Sequence, residues 1–599
     1  MSKLKSILEI LSKRTLSIFL FCCAIVLSVV LIHKMNFDNW RYAIYQDGRG
    51  YYSYLPALLI YNDPSCSFYK NESVTKPDSA NFINYIDGKP VNKYFCGVAL
   101  LQLPFFSASH IYAKLSGENP NGYSKPYQWG VALAALFYFL AGLFFLWKFL
   151  EKFNFGKWIR IIVCICFAFG TNLFHYAVFE PSMSHVYSFA AISAFLFSAR
   201  SFFLFPSTKK IIVVGIILGI IALLRPANLL ILFSLPLVSG NLENLKNGFS
   251  WMKKNSFQLL TGFVPFVFIC SIQLFLYKWQ TGHYLVWSYK DEGFNFLHPH
   301  VFGTLFSYEK GLFIYTPMTF LSLFGLIFIF KRSRFLFLSL IFVMAVIIYV
   351  VSSWHEWKYG FSFGLRAYLD FYTLFAFSFA FLIDAAMKRK MAFAICCLIF
   401  SSILVFSNIQ EYQYDHRIIH GGAMNKENYW LVFLQTNKKY QDTISIENYE
   451  LESSGIFNDM EGSEDWPGKE TIIEGTAYSG NHSSRIDSAS PYSVGFNRNL
   501  SSDDVFDSET KIQISAWVMR TDSMDKGTLV IAQQKRDSIY FRKYIPLPSF
   551  SKPGEWVKMN QEIVIPSRKM DNEYLKIFFT RFSGTIYIDD FNVEIFSAK

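Results

Sequence analysis

An aspartate lies a few residues past the first apolar segment, in the run Tyr45-Gln46-Asp47-Gly48-Arg49-Gly50-Tyr51-Tyr52-Ser53-Tyr54-Leu55-Pro56. A carboxylate at the mouth of a membrane bundle can take the proton of a hydroxyl where a lipid-carried reactant arrives; a purely structural anchor needs no carboxylate there. Asp47 is therefore the first candidate for a catalytic base, against the plainer reading of Asp47-Gly48 as a turn. Other chemically capable groups stand at the edges of later apolar runs. Glu180 and His185 belong to Glu180-Pro181-Ser182-Met183-Ser184-His185, and His355, Glu356, Lys358 and Arg366 belong to the aromatic stretch from Trp354 to Arg366. His185 reads as a substrate or metal ligand or as a packed histidine, and Arg366 as an anion ligand or an interfacial anchor.

Such groups need a scaffold, and the composition supplies a membrane one. Of 599 residues, 52% are hydrophobic, 19% aromatic and only 17% charged, and the apolar residues fall into runs too long for a soluble core. Thr15 to His33 follows Lys3, Lys5, Lys13 and Arg14 with no small-residue cleavage site after it, which reads as a retained first span with a cytoplasmic N-terminus. Further runs near 128–147, 159–178, 184–204, 211–224, 226–239, 257–277, 311–330, 335–352, 370–387 and 391–408 bring the expected total to about eleven. The two beside Leu224-Arg225-Pro226-Ala227-Asn228 are short and read as half-helices meeting at a polar turn, with one long buried hairpin as the alternative count. With the N-terminus inside, the inner loops carry Lys148, Lys152, Lys157 and Arg160, then Lys209 and Lys210, then Lys246, Lys253 and Lys254, then Lys331, Arg332 and Arg334, then Lys388, Arg389 and Lys390. This pattern explains most of the net charge of +11 without nucleic acid as a partner.

The first outer loop, 34–127, is longer than a connector requires. Its apolar stretches 50–61 and 96–115 are interrupted by Pro56 and Pro104 and read as interfacial helices framing a lipid-access groove. Cys66 and Cys96 both fall in this loop, so a disulfide closing it is one expectation in an oxidising compartment. Beyond a linker at 411–440, long apolar runs give way to period-two stretches such as Ile512, Ile514, Ala516 and Val518, and the expected fold of 441–599 is an all-β sandwich.

Residues 10–410 resemble the GT-C superfamily of integral membrane glycosyltransferases, which use polyprenyl-phosphate sugars. The likeness rests on the aspartate after the first span, the long first outer loop, Gly219 to Asn228, and the tracts Glu180 to Phe189, Lys310 to Pro317 and Trp354 to Arg366. It implies a bacterial cytoplasmic membrane enzyme that moves a sugar from a polyprenyl-phosphate donor to an extracytoplasmic glycan, lipid or protein acceptor, with Asp47 as general base. Phosphate and substrate partners would come from Arg49, Tyr52, Glu180, His185, His355, Lys358 and Arg366, with Arg225 a further candidate more readily explained as structural. Better-known members often pair two acids in the first outer loop and hold a divalent cation there, whereas Gly48 follows Asp47 here.

The C-terminal portion resembles carbohydrate-binding jelly rolls of the galactose-binding-like group through Asn458 to Gly462, Ala477 to Arg485, Ser515 to Val518, Gly554 to Lys558 and Tyr587 to Phe591. That resemblance implies a structural calcium with Glu461 and Asp590 as oxygen ligands. Two other functions compete with glycosyl transfer: a transporter or flippase of lipid-linked glycans, and a membrane-anchored glycan-binding protein. A transporter would show matched broken helices in two halves, and Arg225-Pro226 has no second copy. A simple anchor needs only one span.

Overall fold

Some of the apolar runs become single long helices, and others break into shorter pieces. The computed structural model describes residues 2–36, 40, 43–70, 82–290, 292–441, 444, 449–462, 466–499, 510–523, 525–535, 538–547, 552–565 and 573–598. The chain divides into two compact units, Met1–Ile444 and Ser445–Lys599.

The first unit is helical. It opens with α1 (Ser2–Asn36), α2 (Asp47–Leu59), the hairpin β1 (Ile83–Ile86) and β2 (Lys89–Asn92), α3 (Gly97–Ser116), α4 (Lys125–Glu151), α5 (Lys157–Phe169) and α6 (Leu173–Val178). There follow α7 (Ser184–Leu204), α8 (Thr208–Leu224), a 3-10 segment Pro226–Ser234, α9 (Leu235–Ser239), α10 (Leu242–Lys254) and α11 (Ser256–Thr281). The remainder comprises α12 (Val301–Phe306), α13 (Leu312–Tyr315), α14 (Pro317–Leu323), α15 (Gly325–Arg332), α16 (Arg334–Ser352), a 3-10 turn Arg366–Phe371, α17 (Tyr372–Ala386), α18 (Lys390–Asp415) and α19 (Lys426–Leu431). Local chemistry sets several ends. Ser333 caps α16 through Leu336 N, Asn241 caps α10 through Asn244 N, and α3 and α11 stop at Gly117 and Gly282, both with positive φ.

Among the described residues, seven helices are long and apolar enough to cross a membrane: Arg14–Met35, Lys125–Glu151, Ser184–Leu204, Ser256–Thr281, Arg334–Ser352, Arg366–Ala386 and Lys390–Asp415. The other expected spans are shorter or broken. Residues 159–178 divide into α5 and α6 around Gly170-Thr171-Asn172, and 311–330 divide into α13, α14 and α15 at Thr316-Pro317 and Phe324-Gly325. Residues 226–239 form a 3-10 segment running into α9, and α8 has only 17 residues. Glycine lets these pieces pack backbone to backbone. A Cβ on Gly215 of α8 would lie 1.9 Å from the Gly262 carbonyl oxygen of α11, and one on Gly325 would lie 1.9 Å from the Ser378 carbonyl oxygen of α17.

In the second unit the strands are β3 (Tyr449–Asn458), β4 (Ile472–Glu474), β5 (His482–Ile486), β6 (Phe496–Asn499), β7 (Thr510–Arg520), β8 (Lys526–Lys535), β9 (Ser538–Pro546), β10 (Trp556–Ile565), β11 (Glu573–Ser583) and β12 (Ile586–Ala598). One sheet runs β10-β7-β12-β5-β4 with β3 also on β12, and the other runs β6-β11-β8-β9. Ile512, Ile514, Ala516 and Val518 of β7 point into a core shared with Leu529 and Ile531 of β8 and Leu575 and Ile577 of β11, so the period-two pattern marks the buried face. Trp466 closes that core against Phe496 and Phe591.

Candidate functional site

Asp47 is the first residue of α2, where a carboxylate meets the positive end of the helix dipole. Three neighbours fix it. Gln46 turns the chain into the helix at φ +46°, a conformation costly for a side chain and characteristic of constrained sites. Gly48 and Gly50 provide close approach rather than a turn: a Cβ on Gly48 would lie 1.9 Å from Ser182 Oγ, and one on Gly50 would lie 2.3 Å from the Tyr94 ring. The Asp47 carboxylate then receives Arg366 Nη2 at 2.6 Å. Burial alone would raise its pKa, but the Arg366 charge and hydrogen bonds from Tyr94 and Arg366 outweigh it and hold the carboxyl below its ordinary value.

Asp47 and Arg366 open onto a cavity of about 470 Å³. Its polar wall also carries Lys93, His185, Arg225, Asn228, Glu292, His355 and Glu356, while Leu224, Ala227, Leu230, Val286, Val350, Val351 and Phe371 line its apolar side. The wall is assembled from the start of α2, the start of α7, the end of α8, the end of α16 and the 3-10 turn at Arg366.

Another carboxylate lies just behind this wall. Asp370 is fully buried, accepts a hydrogen bond from His185 Nδ1 at 2.8 Å and another from Asn228 Nδ2 at 2.8 Å, and has Arg225 Nη1 at 3.5 Å. A carboxylate bonded to Nδ1 keeps the proton on that nitrogen and leaves Nε2 as the basic one. Asp370 was not anticipated, yet it has a signal in the sequence: an acid inside an apolar run is expensive without partners.

Not every expected site residue reaches the cavity. Among the described residues, Arg49 is absent from its wall and stacks on the Tyr45 ring at 5.3 Å. Tyr52 is buried, its hydroxyl donating to the Gly122 carbonyl; Tyr51, one position earlier on α2, lines the cavity instead. Glu180 lies outside the wall with His175 Nε2 at 3.4 Å, and Lys358 turns away to Glu309 at 3.0 Å. His185, His355 and Arg366 do line it, and so does Arg225, which had looked structural.

The expected disulfide does not form. Cys66 and Cys96 are free and buried, Cys66 against the Ser53 hydroxyl and Cys96 capping α3, its N–H donated to Gln273. Burial pushes both thiols up to about 12. The two residues expected as calcium ligands each have protein partners. Glu461 accepts from the Asn481 and His482 backbone N–H groups and from His482 Nδ1, while Asp590 accepts from Ser479 Oγ. Among the described residues, no three His, Cys, Asp or Glu side chains converge as a metal site.

No known family model matches the chain, and none of the curated proteins pairs with it. Solved structures resemble part of it. A family 16 carbohydrate binding module is 14% identical over 22% of this chain and 91% of its own, with a TM-score of 0.17. The CBM22-1 xylan-binding domain of Paenibacillus barcinonensis Xyn10C is 12% identical over 25% of this chain and 88% of its own, with a TM-score of 0.16. The Stig cyclase Fisc from Fischerella sp. TAU is 10% identical over 26% of this chain and 93% of its own, also at 0.16.

Proposed function

We propose that the helical unit is a membrane glycosyltransferase of GT-C type that moves a sugar from a polyprenyl-phosphate donor to an extracytoplasmic acceptor. In this reading the chain crosses the bilayer about eleven times, the broken segments crossing as kinked or tilted pieces, and the β unit is a jelly-roll sandwich on the outer side. One observation carries the reading: the cavity joins a positioned carboxylate and two arginines to an apolar wall, at helix ends that the charge pattern puts outside. An amphiphile with an anionic head fits such a cavity, and a carboxylate beside the head is where an acceptor hydroxyl would lose its proton.

The step balances without an oxidant or reductant. The acceptor oxygen forms a bond to the sugar's anomeric carbon, the bond from that carbon to the phosphate oxygen breaks, the electron pair leaves with the phosphate, and the hydroxyl proton passes to Asp47. The ion pair with Arg366 aims the carboxylate but lowers its basicity, so transfer comes late, once the attacking hydroxyl has become acidic. The test is turnover of purified full-length protein in detergent on a panel of synthetic polyprenyl-phosphate sugars. Measurable release of polyprenyl phosphate, lost in Asp47→Asn, supports the reading; equal turnover in the two proteins removes Asp47 from the chemistry.

A further inference from the structure

The cavity's three strong cations, Lys93, Arg225 and Arg366, differ in how far their charge is already answered. Lys93 Nζ lies 2.6 Å from Glu292 Oε1, and Arg366 Nη2 lies 2.6 Å from Asp47 Oδ2. Arg225 has no comparable partner. Its nearest polar contacts among the described residues are His185 Nδ1 at 3.4 Å and Asp370 Oδ2 at 3.5 Å, both through Nη1. Asp370 already has better donors in His185 and Asn228 at 2.8 Å, so it does not need Arg225 to be satisfied. The guanidinium has five N–H donors in a fixed fork, and 23% of the side chain is exposed toward the cavity.

The surroundings of Arg225 point the same way. It occupies the break between α8 and the 3-10 segment Pro226–Ser234, and Leu224, Pro226, Ala227 and Leu230 from that break line the cavity beside it. Val350 and Val351 from the end of α16 add to the apolar side. An anionic head and an attached hydrocarbon chain would thus meet a cation and an apolar surface belonging to one local element.

We propose that Arg225, not Arg366, is the anchor for the donor's phosphate, with the lipid chain running along the Leu224–Leu230 side, while Arg366 holds Asp47 in position. This assignment rests on the glycosyl-transfer reading. It divides the cavity into a phosphate side at Arg225 and an acceptor side at Asp47 and Arg366.

Trp287 and Trp354 line the cavity and provide a binding signal independent of turnover. The experiment titrates detergent-solubilised full-length protein with geranylgeranyl monophosphate and, in parallel, with the neutral alcohol geranylgeraniol, following tryptophan fluorescence. The readout is the phosphate's affinity gain over the alcohol. Wild type is expected to prefer the phosphate by roughly 10- to 100-fold, the scale of charge-assisted hydrogen bonds. Arg225→Gln should erase that preference, Arg225→Lys should keep only part of it, and Arg366→Gln should keep most of it; a thermal melt identifies any variant that fails to fold. A preference that survives Arg225→Gln in folded protein, or vanishes only in Arg366→Gln, overturns the assignment alone. Equal wild-type binding of the two ligands overturns both the assignment and the reading beneath it.

Discussion

At the scale of single residues, Asp47 makes two separable predictions. Asp47→Asn is nearly isosteric and keeps an acceptor for Arg366, so the melting temperature should hold while turnover falls by roughly 10²-fold or more. Because Arg366 holds the carboxyl below its ordinary value, Asp47 is ionised throughout the neutral range. Turnover should therefore be flat from about pH 5 to 8 and decline only near or below about pH 4, where an ordinary aspartate protonates. A decline between about pH 7 and 6 would instead assign the proton to His185, whose Nδ1 is held by Asp370. Lys310 gives a stability prediction in a more alkaline window. It is buried against the Ser362 carbonyl and hydroxyl, and burial followed by the Arg366 charge lowers its pKa from 10.5 to about 7. Between those values the unfolded chain binds more protons than the folded one, so this group's contribution to stability rises with pH across the window. The melting difference between wild type and Lys310→Met should shift in favour of wild type between about pH 7 and 9, and a constant difference would show that Lys310 does not titrate there. Asp47, His185 and Arg366 were visible in the sequence as polar groups at the ends of apolar runs. Asp370 shows in the sequence only as an acid inside an apolar run, and its pairing with His185 and Asn228, with Arg225 beside His185, appears only in three dimensions.

At the scale of elements, hydropathy located the apolar segments but could not show which were continuous. Composition is nearly constant across 159–178 and 311–330, while Gly170-Thr171-Asn172 and Thr316-Pro317 interrupt the backbone hydrogen bonds inside them. The glycines in Asp47-Gly48-Arg49-Gly50 look like turn residues in a sequence window, and their packing against Ser182 and Tyr94 appears only in three dimensions. The same close approach supports a test on α8 and α11. Gly215→Ala places a Cβ 1.9 Å from the rigid Gly262 carbonyl oxygen, so the helices must separate, at a cost of about 1–3 kcal/mol. Thermal unfolding in detergent should show the loss; an unchanged melt would mean that this crossing is looser than the glycine contact implies.

At the scale of the whole molecule, the two units carry separable expectations. The period-two faces of β7, β8 and β11 close a core without any apolar span, so residues 445–599 expressed alone should give a soluble protein with a cooperative melt and a β-type circular dichroism spectrum. Partition into detergent would show that the core needs the helical unit. A reporter fused after residue 415 should read extracytoplasmic and one after Arg332 cytoplasmic, as the basic inner loops require. These tests concern architecture; the central claim is that the cavity transfers a sugar. The most direct measurement compares envelope glycan masses, by mass spectrometry, in cells lacking this chain and in the same cells carrying either the wild-type or the Asp47→Asn protein. The account predicts that a surface glycan, lipid or protein loses the mass of one sugar residue in the deletion, regains it with wild type, and stays unmodified with Asp47→Asn. Full modification with Asp47→Asn, or a deletion that instead accumulates a complete lipid-linked glycan on the cytoplasmic side, would contradict it.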